Sequence, residues 1–179
     1  LDSFEDKTGK KGMMVSAVDL LKGIAVGAGM GVSTVEGANG GLHTNYEGKT
    51  EAALKAVLED GYDFAYIHVE APDEMGHQGS VEKKVQAIEY LDGRVLKPLT
   101  ERLDAKGTDY RLLILPDHPT PIRVRTHTAD SVPYLLYDST SPLEGKGDYN
   151  EAAGRESGNY VAEGYRLIER LFQKQRNCL

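Results

Sequence analysis

Two short apolar runs, Tyr62-Asp-Phe-Ala-Tyr-Ile-His-Val-Glu70 and Tyr110-Arg-Leu-Leu-Ile-Leu-Pro116, are each followed within a few residues by a carboxylate and a histidine: Asp73 and His77 after the first, Asp117 and His118 after the second. Runs of this length and apolarity are too short for core helices and read as buried strands. In open α/β sheets, ligands bind outside the carboxyl ends of the strands. The two runs therefore constrain the fold and the site together, because both sets of polar residues emerge where a sheet of this kind places its active-site edge.

The rest of the chain fits between these runs as alternating strands and helices. Lys11–Ser16 reads as a strand, residues 17–29 as a helix with Val18, Leu21, Ile24 and Ala25 on its inner face, and 32–35 as a second short strand. A helix over 49–60 stops at Gly61. A long helix over 80–104 starts at Ser80 as N-cap, turns Val81, Val85, Ile88, Leu91 and Val95 inward, and is kinked or divided by Pro98. Val132–Asp138 reads as a further strand, 139–158 as a loop region with a helical turn at 151–154, and 159–173 as an amphipathic helix. The expected fold class is α/β, with a mostly parallel sheet flanked by helices.

Three of the five histidines stand in a carboxylate-rich pattern: Asp73-Glu-Met-Gly-His77, Asp117-His118 and Thr126-His127-Thr128. Asp73 and His77, four residues apart, share one face if the segment after Pro72 is helical, and can then converge on one ion. Imidazole nitrogen and carboxylate oxygen together suit zinc, manganese or iron, and a pair of such ions is a common clamp for phosphoryl transfer. His68 lies within the first run with Glu70 on the same side, which reads as a core histidine or as an outer partner of a metal ligand. His43, in Gly40-Gly-Leu-His-Thr44, reads as a loop residue. Lys49, Lys83, Lys84, Arg123 and Arg125 could each hold a phosphate, and Arg125, two residues before His127, is the best placed. By default each is a surface charge.

Composition narrows the partners. The formal net charge of −7, with Lys and Arg scattered among Asp and Glu, argues against sequence-independent nucleic-acid binding. No apolar stretch reaches the roughly 18 residues needed to cross a bilayer. The single cysteine, Cys178, excludes a disulfide within the chain, is too near the terminus to serve as a nucleophile, and points to a reducing, cytoplasmic setting. The chain opens on Leu1 rather than methionine, which leaves open a processed product or a piece of a longer protein.

The runs Lys11-Gly-Met-Met-Val-Ser-Ala-Val-Asp-Leu-Leu-Lys-Gly-Ile-Ala25, Thr44-Asn-Tyr-Glu-Gly-Lys49, His68-Val-Glu-Ala-Pro-Asp-Glu-Met-Gly-His77, Pro116-Asp-His-Pro-Thr-Pro121 and Thr126-His-Thr128 resemble the cofactor-independent phosphoglycerate mutases of the archaeal type, in the alkaline phosphatase superfamily. The resemblance implies an alkaline-phosphatase-like sandwich interrupted by a cap domain. It also implies two divalent ions, manganese or zinc with magnesium a further choice, and no requirement for 2,3-bisphosphoglycerate. A serine would be transiently phosphorylated as the phosphate of a small substrate, phosphoglycerate, moves between hydroxyls. Carried over by motif, Asp73, His77 and His127 bind one ion, while Asp117 and His118 contribute to the second. Arg125 and Lys49 are the candidate substrate-binding residues. The serine and a further aspartate have no counterpart here, so residues 1–179 are expected to be the C-terminal part of the phosphatase-like domain. Without the remainder of the parent chain they should be inactive.

Two departures stand out: Pro119 where the family often has Ser, and Asp130-Ser-Val-Pro133 where it often has Asp-Pro-Val-Pro. Neither removes a ligand. A homoserine-kinase-like phosphotransferase, a phosphomonoesterase of the same superfamily and a non-catalytic metal-binding domain remain as alternatives.

Overall fold

The computed structural model describes residues 2–143 and 148–173, and the backbone forms two compact units. The first comprises residues 1–102 and 120–126, the second 103–119 and 127–179. Cys178 lies outside the described residues.

The first unit is built on a three-stranded parallel sheet of β1 (Gly12–Val15), β2 (Gly31–Ser33) and β3 (Phe64–Ile67) in the order β2-β1-β3. The central strand β1 is buried along its whole length, as a parallel strand covered on both faces must be. Met13 is aligned with Gly31 on one side and with Ala65 on the other. Around the sheet run α1 (Phe4–Thr8), α2 (Asp19–Gly27), α3 (Tyr46–Leu58), α4 (Ala71–His77) and α5 (Val81–Leu91). Leu42, Tyr46, Ala71, Met75, Ala87 and Val95 form one core cluster, with Ile67, Val69 and Tyr90 packed against it. The α3 helix starts three residues earlier than its apolar pattern suggests because Asn45 caps it, accepting a hydrogen bond from the Gly48 amide at 2.8 Å.

The expected long helix is three pieces. After α5 comes a π-helical turn at Asp92–Leu96, then α6 (Lys97–Lys106). Pro98 has no N–H to donate to the Arg94 carbonyl four residues back. That carbonyl is served instead by the Thr50 hydroxyl at 3.2 Å, which ties the turn to α3. The Arg94 guanidinium lies 4.8 and 4.9 Å from the Tyr46 and Tyr90 ring centres and pairs with Glu47.

Two helices depart from the expected inner stripe, α5 at most of its positions and α2 only at Ile24. In α5, Val81, Val85 and Ile88 are exposed, and the packing residue is Ala87, with Val95 beyond the helix end. In α2, Ala25 is buried and Ile24 is exposed. In both cases an alanine sets the contact, since a small side chain lets a helix approach its neighbours closely while the larger apolar groups flank it.

In the second unit, β4 (Arg111–Ile114) and β5 (Leu135–Asp138) pair antiparallel, Leu112 opposite Tyr137, so these strands do not extend a parallel order. β4 is half-buried throughout, and β5 runs from exposed Leu135 to buried Asp138. The helix expected over 159–173 is a 3-10 turn at Gly164–Arg166 and a short α8 (Leu167–Phe172), and Tyr165 is exposed. α7 spans Glu151–Glu156. The Arg111 guanidinium pins α8 by donating to the Leu171 and Gln173 carbonyls and pairs with the buried Asp138 at 2.6 Å.

Candidate metal centre

In the first unit the donors arise from one turn of helix. β3 ends at Ile67, and α4 opens with Pro72 in its first turn, a position where a missing N–H removes no helical bond. Asp73 and His77 then fall on one face, with Nε2 of His77 3.3 Å from Oδ2 of Asp73. The helix ends in a Schellman motif: Gly79 sits at φ +70°, its N–H meets the Gly76 carbonyl, and the Ser80 N–H meets that of Met75.

Both donors are held from outside the helix by the segment 120–126. The Thr120 hydroxyl donates to Oδ1 of Asp73. Nδ1 of His77 lies 3.0 Å from the Arg125 carbonyl oxygen. A carbonyl only accepts, so Nδ1 carries a proton, and Nε2 is the nitrogen that faces the Asp73 carboxylate and, in the neutral ring, offers its lone pair there. An imidazole whose second nitrogen is fixed in this way is the usual state of a metal-ligating histidine. A nitrogen lone pair beside a carboxylate oxygen, each oriented by an outer partner, fits a divalent cation.

The segment itself is clamped. The Lys84 ammonium donates to the Thr120 carbonyl at 2.7 Å, and a Cβ on Gly76 would run into that same carbonyl. Thr120 is buried, although nothing in its sequence context singles it out.

In the second unit, Asp117 and His118 follow β4 in a bend, not at a helix start. The His118 N–H lies 3.1 Å from Oδ1 of Asp117, and its Nε2 is 3.5 Å from Oδ2. The His118 and His127 rings face each other, with centres 3.7 Å apart. The Thr128 N–H, donating to the Pro119 carbonyl at 3.1 Å, holds the two stretches together. Asp117 and His127 are exposed. Each unit thus gathers its own share of the five candidate ligands.

The remaining candidates fall elsewhere. Lys49 is fully buried and donates to the His68 carbonyl at 2.9 Å. Burial pushes its pKa down against the opposing pull of the Glu70 carboxylate. His68 turns Nδ1 to the Ser16 hydroxyl at 3.3 Å, and that oxygen also accepts from the Val18 amide at 3.0 Å. Glu70 acts on Lys49. Arg123, Arg125, Lys83 and His43 are exposed.

Parallel strands wrapped by helices, with a carboxylate and a histidine just beyond the end of β3, define an α/β domain with a candidate metal centre. The family described as the Metalloenzyme superfamily matches residues 1–157, and the chain belongs to it. A protein of Geobacter sulfurreducens named "Probable 2,3-bisphosphoglycerate-independent phosphoglycerate mutase" is 47% identical over 173 residues, covering 96% of this chain and 43% of that protein. A "2,3-bisphosphoglycerate-independent phosphoglycerate mutase" of Methanosarcina mazei is 51% identical over 134 residues, covering 75% of this chain and 33% of its own. Among solved structures, "Structure of PH0037 protein from Pyrococcus horikoshii" superposes with a TM-score of 0.82 at 26% identity, over 98% of this chain and 53% of that one. The chain spans well under half the length of these curated relatives. No described helix is long and apolar enough to cross a membrane.

Proposed function

We propose that these residues supply the ligand-bearing part of a 2,3-bisphosphoglycerate-independent phosphoglycerate mutase, a cytoplasmic enzyme interconverting 3- and 2-phosphoglycerate. The observation that carries the reading is the pair Asp73 and His77, each oriented by an outer partner, within a chain 47% identical to a protein of that name. Asp73, His77 and His127 hold one divalent ion. Asp117 and His118 contribute to a second. Manganese and zinc both suit this mixture of imidazole and carboxylate. When bound, the two ions offset charge on the phosphoryl group and align attacking and leaving oxygens.

This chain's residues do the holding. Thr120 and the Arg125 carbonyl keep the two donors of α4 in place before any ion arrives, so little reorganisation is left for the binding step. Arg125, exposed beside these donors, is the candidate contact for the substrate's phosphate or carboxylate. Lys49 acts on the substrate only through the peptide at His68, which its ammonium fixes. The nucleophilic serine, a further aspartate and the cap belong to the rest of the longer protein. The short span relative to the relatives supports this, as do the exposed apolar residues Leu20, Val26, Val81, Val85 and Ile88.

The test is an enolase-coupled assay of 3-phosphoglycerate conversion on the full-length protein with added manganese. Turnover without 2,3-bisphosphoglycerate, lost on chelation and restored by the metal, is expected. A protein that binds the ions yet converts no phosphoglycerate would end the mutase reading.

A further inference from the structure

Arg125 is the one non-glycine residue with positive φ among the described residues, at 59°. Its N–H and that of Val124 both donate to the Pro121 carbonyl at 2.9 Å, so residues 121–125 form a helical turn that Arg125 ends in the left-handed conformation. Glycine or asparagine normally takes that place, because a Cβ there is crowded. A bulky residue held so is strained and persists only where its surroundings impose it. The surroundings here are Gly79. A Cβ built on Gly79 would overlap Nε and Cζ of Arg125, so the guanidinium rests in the space that the missing side chain leaves. Gly79 needs to be glycine for its own φ of +70°, and it serves as the seat as well.

The consequence falls on His77. The carbonyl meeting its Nδ1 is that of Arg125, and its direction is set by the left-handed turn. We infer that Arg125 is a positioning residue acting through its main chain. The guanidinium seated on Gly79 stabilises a costly backbone conformation, and that conformation fixes the tautomer and ring orientation of His77. Thr120 does the corresponding work for Asp73 from the other end of the same segment. The inference rests on the reading of Asp73 and His77 as ligands. It gives Arg125 a role separate from any contact with substrate.

Substitutions at 125 and 79 separate these roles in the full-length protein. The readouts are Mn2+ affinity by competition with a chromophoric chelator and, in the ion-free protein, the His77 tautomer by 15N–1H correlation of its ring. Wild type should show His77 protonated at Nδ1. Arg125→Gly keeps the left-handed turn without needing the guanidinium, so ion affinity should stay within about threefold of wild type and Nδ1–H should persist. Arg125→Val, β-branched and intolerant of positive φ, should lose about tenfold in ion affinity, within the 10–100-fold typical of outer partners. Its His77 should become a mixture of tautomers. Gly79→Ala, which evicts the guanidinium, should behave like Arg125→Val, and Arg125→Gly added to it should recover much of the loss. A general defect caused by Gly79→Ala would not be rescued from position 125.

Equal affinities in Arg125→Gly and Arg125→Val would overturn the inference, as would Nε2–H on His77 in the wild type. If Gly79→Ala does not fold, the Gly–Val comparison at 125 decides alone. Failure of the wild-type protein to bind Mn2+ at all would instead sink the metal reading, a result distinct from unequal roles at 125.

Discussion

The two units present their donors in contrasting ways. In the first, Asp73 and His77 ride on a helix anchored by Ala71 and Met75 in the core, and each is oriented by a group of the clamped segment 120–126. In the second, Asp117, His118 and His127 stand on loops, two of them exposed, with a ring-to-ring contact and one backbone bond between the loops. On the proposed ligand reading, the first set is carried by a helix packed into the core and is held in place before an ion binds, whereas the second set is carried by loops. Ordering entropy that a packed scaffold has already met need not be met again on binding.

The sharpest way to break this contrast is to delete one donor from each half. His77→Ala should remove one full equivalent of bound metal from the full-length protein, measured by elemental analysis after gel filtration, with His127→Ala matching it. His118→Ala should lower the second equivalent alone. Identical stoichiometry in His77→Ala, His127→Ala and wild type would contradict the ligand assignment. His68→Ala, acting on a ring that faces Ser16, should leave both equivalents measurable.

Next in size is the support of the prebuilt half. Met75 is 4% exposed and lies two residues from each of Asp73 and His77, on the side of α4 away from them. Met75→Ala should cost about 2–5 kcal/mol of folding stability through the cavity it leaves, read from urea unfolding. Smaller still is the removal of a single outer partner. Thr120→Val keeps the shape of the buried side chain but deletes the hydroxyl that Asp73 accepts from, and ion affinity should fall about tenfold. The matching change in the loop half, Thr128→Val, keeps the backbone bond to Pro119 and should alter affinity by less than about threefold. Equal losses in the two would erase the distinction drawn between the halves.

What the sequence disclosed follows the same division. The strands β1, β3 and β4, the N-cap at Ser80 and the pairing of Asp73 with His77 depend on local pattern, so they could be read along the chain. Which stripe of α5 packs could not, because Val81, Val85 and Ile88 repeat with helical spacing as well as any inward face, and only the small volume of Ala87 decides. The antiparallel pairing of β4 with β5 was hidden for a related reason, since strand direction is set by partners distant in sequence. At the candidate site, the five proposed donors stand out in the sequence by their chemistry alone. Thr120, Lys84 and the Arg125 carbonyl do not, because a hydroxyl, an ordinary lysine and a main-chain oxygen carry no sequence signature. Gly76 and Gly79, flanking His77 in Met-Gly-His-Gln-Gly, were the available clue that something approaches α4 closely.

The smallest effect tests whether the second unit has any prebuilt polar structure of its own. Buried Asp138 accepts from the Thr140 hydroxyl at 2.6 Å and from Arg111 at 2.6 Å, which hold its carboxyl below the usual aspartate range. Its folded pKa is depressed relative to the unfolded chain, so below the ordinary value near about 4 the unfolded state takes up a proton that the folded state resists. Stability from this group is present above that value and is lost as pH falls through the depressed folded one. Denaturant titrations between pH 6 and pH 3 should show this loss, and Asp138→Asn should flatten the dependence while lowering stability at pH 6. Because Arg111 also carries α8, the same substitution should loosen exchange protection along β4, β5 and α8 and spare β1. If protection at β1 falls in parallel, the two units unfold together, and the contrast belongs to the donors rather than to the folding units that carry them.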